Sequence, residues 1–147
     1  MNYFESFYAS LFYSRKNNGM PAASTPLNGN ILLSVSLFVF VASVIGMAIL
    51  IFPGIGEAIE DLLKDTFGRS GGRTIGRFLA IIGIALFFPF VRFTIGTPKN
   101  YQRIMSDCEK MSEEEWKEVS KKGTLFMAIT LGSWIIPMVI WGLKSLL

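Results

Sequence analysis

Apolar residues are concentrated in three runs, each about as long as a membrane-spanning helix. The runs cover residues 31–52, 75–95 and 124–143, and none of them contains an acidic residue. A bilayer core about 30 Å thick is crossed by about 20 apolar helical residues, because each residue of a helix rises about 1.5 Å. The pattern therefore predicts an all-α integral membrane protein of one domain with three transmembrane helices. The first run is too long for the core of a typical signal peptide, so we expect an uncleaved anchor.

Residues 1–30 divide into an aromatic leader and a turn-rich connector. Over residues 3–13, large apolar side chains recur every three or four positions, which predicts a helix with one apolar face. Such a helix, followed by Arg15 and Lys16, is typical of one that lies in the headgroup layer of a membrane. Packing of the same face on the protein's own transmembrane helices is the alternative. Residues 17–30 are rich in Asn, Gly, Pro, Ser and Thr, so they predict an irregular connector.

Both segments between the apolar runs are predicted to contain amphipathic helices. Residues 53–74 carry an apolar stripe opposite several acidic positions, followed by a glycine-rich turn. Residues 97–123 predict a helical hairpin. Its first helix begins with an N-cap at Thr97, and its second begins with a capping box at Ser112 and runs toward Gly123.

Small residues and prolines within the apolar runs predict how the helices pack. Small side chains at helical spacing let neighbouring backbones approach closely. Pro89 and Pro137 each remove a backbone donor and should kink their helices, and a hinge or gate is the sharper interpretation of the same residues. The predicted packing positions are Ala42, Gly46, Gly72, Gly76, Ala80 and Gly83.

Four cations are predicted to contact lipid headgroups. Arg77 and Arg92 bracket the charge-free centre of the second run, so their long side chains can reach opposite headgroup layers. Arg15 and Lys16 would lie near lipid phosphates at the end of the leader. An ion pathway is the alternative for the two arginines, but no carboxylate lies inside any run to pair with them.

The distribution of cations predicts the orientation of the protein in the membrane. Of the 14 Lys and Arg residues, nine fall in the leader, at the end of the second run and in the hairpin, and five fall on the opposite side. Because cytoplasmic loops carry the excess of cations, we expect the N-terminus and residues 97–123 in the cytoplasm and the C-terminus outside.

Composition narrows the possible chemistry. The net charge of +3 is modest and spread over the loops, which favours anionic lipid over nucleic acid as a partner. Histidine is absent and Cys108 is the single cysteine, so the commonest general base and metal ligand are missing and no internal disulfide can form. We therefore expect no cofactor, no metal and no catalytic residue.

Three hypotheses for function remain. The first is a non-enzymatic scaffold or accessory subunit of a larger membrane complex, which would bind membrane lipids and other subunits. The second is a self-assembling membrane protein, either a small channel or transport element or a membrane-acting effector or immunity component. Kinked helices support it, and the scarcity of polar residues in the runs weighs against it. The third is an enzyme. Its only clustered candidate groups would be the carboxylates at residues 113–115, and these are explained by their favourable position at the start of a helix.

Overall fold

The computed structural model describes residues 1–18, 26–67, 72–144 and 146, with the backbone alone at 53, 60, 63, 66, 67 and 72–79. Nearly all of the described chain is helical and none of it forms a strand, which confirms the all-α prediction. The helices are α1 Tyr3–Asn17, α2 Pro26–Ile51, α3 Pro53–Phe67, α4 Gly72–Thr94, α5 Pro98–Glu109, α6 Glu113–Gly132 and α7 Ile135–Lys144.

Two stretches of the described chain are long and apolar enough to cross a membrane. They are α2 and the stretch Glu113–Lys144, which contains α6 and α7. A third candidate is a bent pair, in which Ala80–Thr94 of α4 meets α5 at an angle of 63°. By length and composition the protein therefore has two or three candidate spans, which agrees with a membrane protein.

The N-terminal boundary of α2 corrects the predicted connector. The helix begins at Pro26, so the irregular segment expected up to Asn30 is wrong for residues 26–30. Proline suits the first position of a helix because the N–H that it lacks would have no partner there. As a result, Asn30 lies inside α2, although the first predicted span begins one residue later.

The second arm of the hairpin also differs from the prediction. Both capping interactions are present, with Thr97 accepting from the Asn100 N–H and Ser112 sharing a capping box with Glu115. However, α6 does not end near Gly123 but continues without a break to Gly132. The second arm of the predicted hairpin and the first part of the third apolar run therefore belong to one helix, and the rest of that run forms α7.

Helix α2 is central to the arrangement, since it contacts α1, α3, α4, α6 and α7. It runs antiparallel to α4, because Phe38 lies against Gly83 and Asn30 lies against Gly96. It runs parallel to α6 and α7, because Ser43 bonds Ser133 and the Leu50 carbonyl accepts from the Lys144 ammonium near the other end.

The buried core lies at one end of these long helices. We call α1, α5 and residues 113–127 of α6 the cap. In the cap, α1 runs antiparallel to α6, with Phe4 against Phe126 and Phe12 against Trp116. The buried apolar side chains are Phe7, Tyr8, Ala9, Phe12, Leu33, Val91, Ile104, Cys108 and Trp116. Leu33 and Val91 come from α2 and α4, so the cap and the long helices share one core.

Candidate functional site

A buried polar junction joins the cap to α2 and α4. Its centre is Asn30, whose side chain is fully buried. The Tyr8 hydroxyl donates to Asn30 Oδ1 at 2.5 Å, and Asn30 Nδ2 donates to the Gly96 carbonyl at 3.0 Å. Arg92 Nη1 donates to the same carbonyl at 3.3 Å. The junction therefore satisfies buried polar groups from α1, from α2 and from the turn after α4, as a low-dielectric interior requires.

Two glycines make the close approach at the junction possible. A Cβ added at Gly96 would lie 1.8 Å from Asn30 Oδ1 and 2.6 Å from the Tyr8 hydroxyl oxygen. A Cβ added at Gly29 would lie 2.7 Å from Cε1 of the Tyr8 ring. All three distances are too short for a real Cβ atom. Tyr8 therefore occupies space that is open only because residues 29 and 96 are glycines.

Tyr8 is held in its protonated form. Burial raises the pKa of this phenol well above its ordinary value, and Tyr101 raises it further, while the positive charge of Arg92 lowers it. At neutral pH the hydroxyl is therefore a stable donor to Asn30. The geometry fixes the position of α1 on α2, and it offers neither an ionised base nor a nucleophile.

The interface between α1 and α6 is equally tight. A Cβ added at Gly123 would lie 2.0 Å from the Ser6 carbonyl oxygen, so the two backbones are in direct contact. Aromatic rings pack on both sides of that contact. Phe4 meets Phe126 edge to face with ring centroids 5.5 Å apart, and Tyr13 packs on Trp116 at 4.9 Å. The Trp116 indole N–H donates to the Cys108 carbonyl, which ties α6 to α5.

The aromatic face of α1 therefore packs on protein. Of the two alternatives for the leader, the structure has the rings directed into the cap. Phe7 and Tyr8 are almost completely buried. The periodicity indicated correctly which side of α1 is apolar, and the burial of these rings supports packing on protein, while contact of α1 with the headgroup layer stays a prediction.

Charged side chains at the edges of the cap bind other groups of the cap. The Arg103 guanidinium bonds the Glu5 carboxylate, and Lys122 Nζ donates to the Met1 carbonyl at 2.9 Å. Although partial burial opposes ionisation, the Asn2 N–H and Arg103 hold the pKa of Glu5 below its ordinary value. These contacts fix the start of α1 on both α5 and α6.

The predicted packing residues divide into four groups. Gly83 meets Phe38 of α2, with an added Cβ only 2.1 Å from the ring, so this position is a close helix contact. Gly46 lies beside Pro137, at an ordinary 3.6 Å. Ala42 and Ala80 are half-buried. For Gly72 and Gly76 only the backbone is described, as part of α4.

The two prolines occupy different surroundings. Pro89 lies inside α4, which continues past it. Pro137 is buried near the start of α7, and a short turn at Ser133 and Trp134 separates α6 from α7. A proline ring clashes with the carbonyl four residues earlier. That residue is Ser133, so the position of the turn has a simple steric cause.

Two of the cations predicted to contact lipid have specific partners in the structure. Arg92 donates to the Gly96 carbonyl, and the Lys16 ammonium lies 5.6 Å from the centre of the Trp116 ring. Arg15 borders a small cavity of about 60 Å³ beside Tyr8. The side chain of Arg77 lies outside the described part of the protein. Contact of these residues with lipid headgroups stays a prediction.

Sequence reasoning missed the junction itself. Asn30 was assigned to the connector, one residue before the first apolar run. The available signal that the helix starts earlier was the four-residue spacing between Asn30 and Ser34. In the structure, the buried Ser34 hydroxyl donates to the Asn30 carbonyl at 2.6 Å. Nothing local to Tyr8 or Gly96 pointed to their partner, because the contacts join residues 22 and 66 positions apart.

The fold defines an all-helical protein with a cap and two or three candidate spans. Within residues 1–18, 26–67, 72–144 and 146, no group of three or more His, Cys, Asp or Glu side chains could hold a metal ion. Comparison of the chain with family models, with curated proteins and with solved structures finds no match.

Proposed function

We propose that the protein is a non-enzymatic scaffold or accessory subunit of a larger membrane assembly. The observation that carries this proposal is the attachment of the cap to α2 and α4 through the junction of Tyr8, Asn30 and Gly96. Direct backbone contact at Gly123 holds α1 against α6 within the cap. A cap held in this way offers a partner a preformed surface, so little conformational entropy is lost on docking.

The hydroxyl groups of the candidate spans favour this role over a channel. Four of them donate to the backbone carbonyl four residues earlier in their own helix, so they do not need water as a partner. These are Ser34, Ser43, Thr94 and Thr130. Ser36 differs, since its buried hydroxyl has no partner among the described residues. One such buried hydroxyl is too little to line an aqueous path, which weakens the self-assembling channel hypothesis.

We further propose that the cap is the cytoplasmic docking surface and that the C-terminus is outside. The excess of cations on the cap side supports this orientation. Glu114 and Glu118 are exposed one turn apart on α6, away from the core, so a partner could reach them.

Co-purification from native membranes in a mild detergent tests the proposal. We expect different subunits to elute with the tagged chain in fixed ratio. Reversing the charges of Glu114 and Glu118 should release them, whereas the matched reversal of Glu57 and Asp61, exposed at the same spacing on α3, should not. Recovery of a single repeated species would contradict the accessory role and support self-assembly.

A further inference from the structure

We propose that the groove between α2 and α7 binds one acyl chain of an anionic phospholipid, with Lys144 holding the lipid phosphate. The groove encloses about 320 Å³ and is open at the surface. Its walls are almost entirely apolar, formed by Gly46, Ile49 and Leu50 of α2 and by Trp134, Pro137 and Trp141 opposite them. This site is independent of the proposed assembly role.

Two small or rigid residues face each other in the groove. Gly46 has no side chain, and a Cβ added there would touch the Pro137 ring at 3.6 Å, so a larger side chain at this position would enter the groove. The two tryptophans border its length. They are seven residues apart, which is about 10 Å along a helix at about 1.5 Å per residue. One leaflet of the hydrocarbon core is about 15 Å deep, so the groove matches a large part of one chain.

Lys144 supplies the charge at the end of the groove. It lies three residues after Trp141, and its ammonium donates to the carbonyl of Leu50, a wall residue, at 2.9 Å. An ammonium group has three donors, so two others are available to phosphate oxygens. No acidic residue whose side chain the structure describes forms a salt bridge with Lys144.

A second copy of the chain fits the groove less well. Parallel copies packed groove to groove about a two-fold axis would bring the same surface of each together. Both Lys144 ammonium groups would then meet at the same end and repel each other. A phospholipid has the opposite arrangement, with an apolar chain for the walls and a negative phosphate for the cation, so charge complementarity favours lipid.

Tryptophan quenching provides a direct test. The full chain is placed in phosphatidylcholine bilayers that contain a small, fixed fraction of lipid brominated on its acyl chains, either phosphatidylglycerol or phosphatidylcholine. Bromine quenches tryptophans that it touches. Trp134 and Trp141 line the groove, whereas Trp116 is buried in the cap core. We expect the anionic probe to be enriched about fivefold at these tryptophans, the effect of one lysine on an anionic lipid.

Three variants make the test specific. Lys144→Gln should remove the excess quenching by the anionic probe, and Lys144→Arg should keep it. Gly46→Leu should also remove it, because the new side chain fills the groove. Gly132→Leu is the matched control, since an added Cβ there meets nothing within 4 Å. Lys144 is exposed, so its variants test the charge even where a groove substitution impairs folding.

Equal quenching by the two brominated lipids would overturn the proposal, because it would mean ordinary contact with bulk lipid. Quenching by either probe that falls as protein concentration rises would overturn it too, because a second copy would then cover the groove. Because the test uses the purified chain without other subunits, its failure is distinguishable from a failure of the accessory-subunit proposal.

Discussion

Gly96 shows how strongly a single residue is constrained by its neighbours. Replacement by alanine should place a methyl group inside the van der Waals radius of Asn30 Oδ1. We expect Gly96→Ala to destabilise the protein by about 1–3 kcal/mol, the usual cost of overpacking. Thermal unfolding in detergent measures the loss. The cost should shrink when Asn30 is also alanine, since the clashing amide is then gone.

The control for this cycle is Gly132→Ala, at a position with open space around it. There, alanine should be neutral or stabilise by about 0.5–1 kcal/mol, because it lowers the entropy lost by glycine in a helix. Strictly additive losses in the Gly96 and Asn30 double variant would contradict the geometry of the junction.

Single residues were the least predictable level from the sequence. Local signals identified the caps at Thr97 and Ser112 correctly, because a cap depends on neighbours three positions away. The partner of Asn30 was not predictable. Its two hydrogen bonds reach α1 and the turn after α4, and periodicity within one segment carries no information about such distant contacts.

At the level of elements, the packing of α1 on α6 depends on Gly123. A Cβ there would meet the Ser6 carbonyl oxygen at 2.0 Å, and backbone cannot swing aside as a side chain can. We expect Gly123→Ala to lift α1 from α6. Phe12 and Tyr13 would then no longer cover Trp116, so its fluorescence should shift to the red.

Gly132→Ala on the same helix should leave the emission unchanged. Limited proteolysis gives a second measurement, since a lifted α1 should be cleaved faster than the rest of the cap. Unchanged emission and unchanged cleavage in Gly123→Ala would show that the interface tolerates the added methyl group.

The helices themselves were largely predictable, and their partners were not. Apolar periodicity identified α1, and its two following cations, Arg15 and Lys16, suggested a membrane surface. The same cations mark any helix C-terminus, where they meet the helix dipole favourably. The pattern therefore could not distinguish burial in lipid from burial against α6.

For the whole molecule, the proposed orientation is testable with thiol reagents, but not through Cys108 alone. This side chain is only 1% exposed. Burial, followed by the charges of Asp107 and Glu109, raises the pKa of its thiol to about 11. Since the thiolate is the reactive form, labelling should be slow at neutral pH and should rise as the pH approaches that value.

Single cysteines at exposed positions avoid this problem. In a Cys108→Ala background, we expect an impermeant maleimide to label Leu146→Cys in intact cells and Ser106→Cys only after the membrane is opened, since both sites are exposed. The reverse pattern would place the cap outside and contradict the cation rule. Loss of labelling at both sites in opened cells would instead indicate misfolding.

The cap joins α1 to α6, two helices that are far apart in the chain, and this sets an order of events during synthesis. The Met1 carbonyl accepts from Lys122, 121 positions away. At about 5–20 residues per second, roughly 100 residues take about 5–20 s to emerge from the ribosome. Through that interval the rings of α1 are without the helix that finally covers them. The nascent α1 therefore exposes its aromatic face until α6 has been synthesised, and a chain truncated before α6 would keep that face exposed.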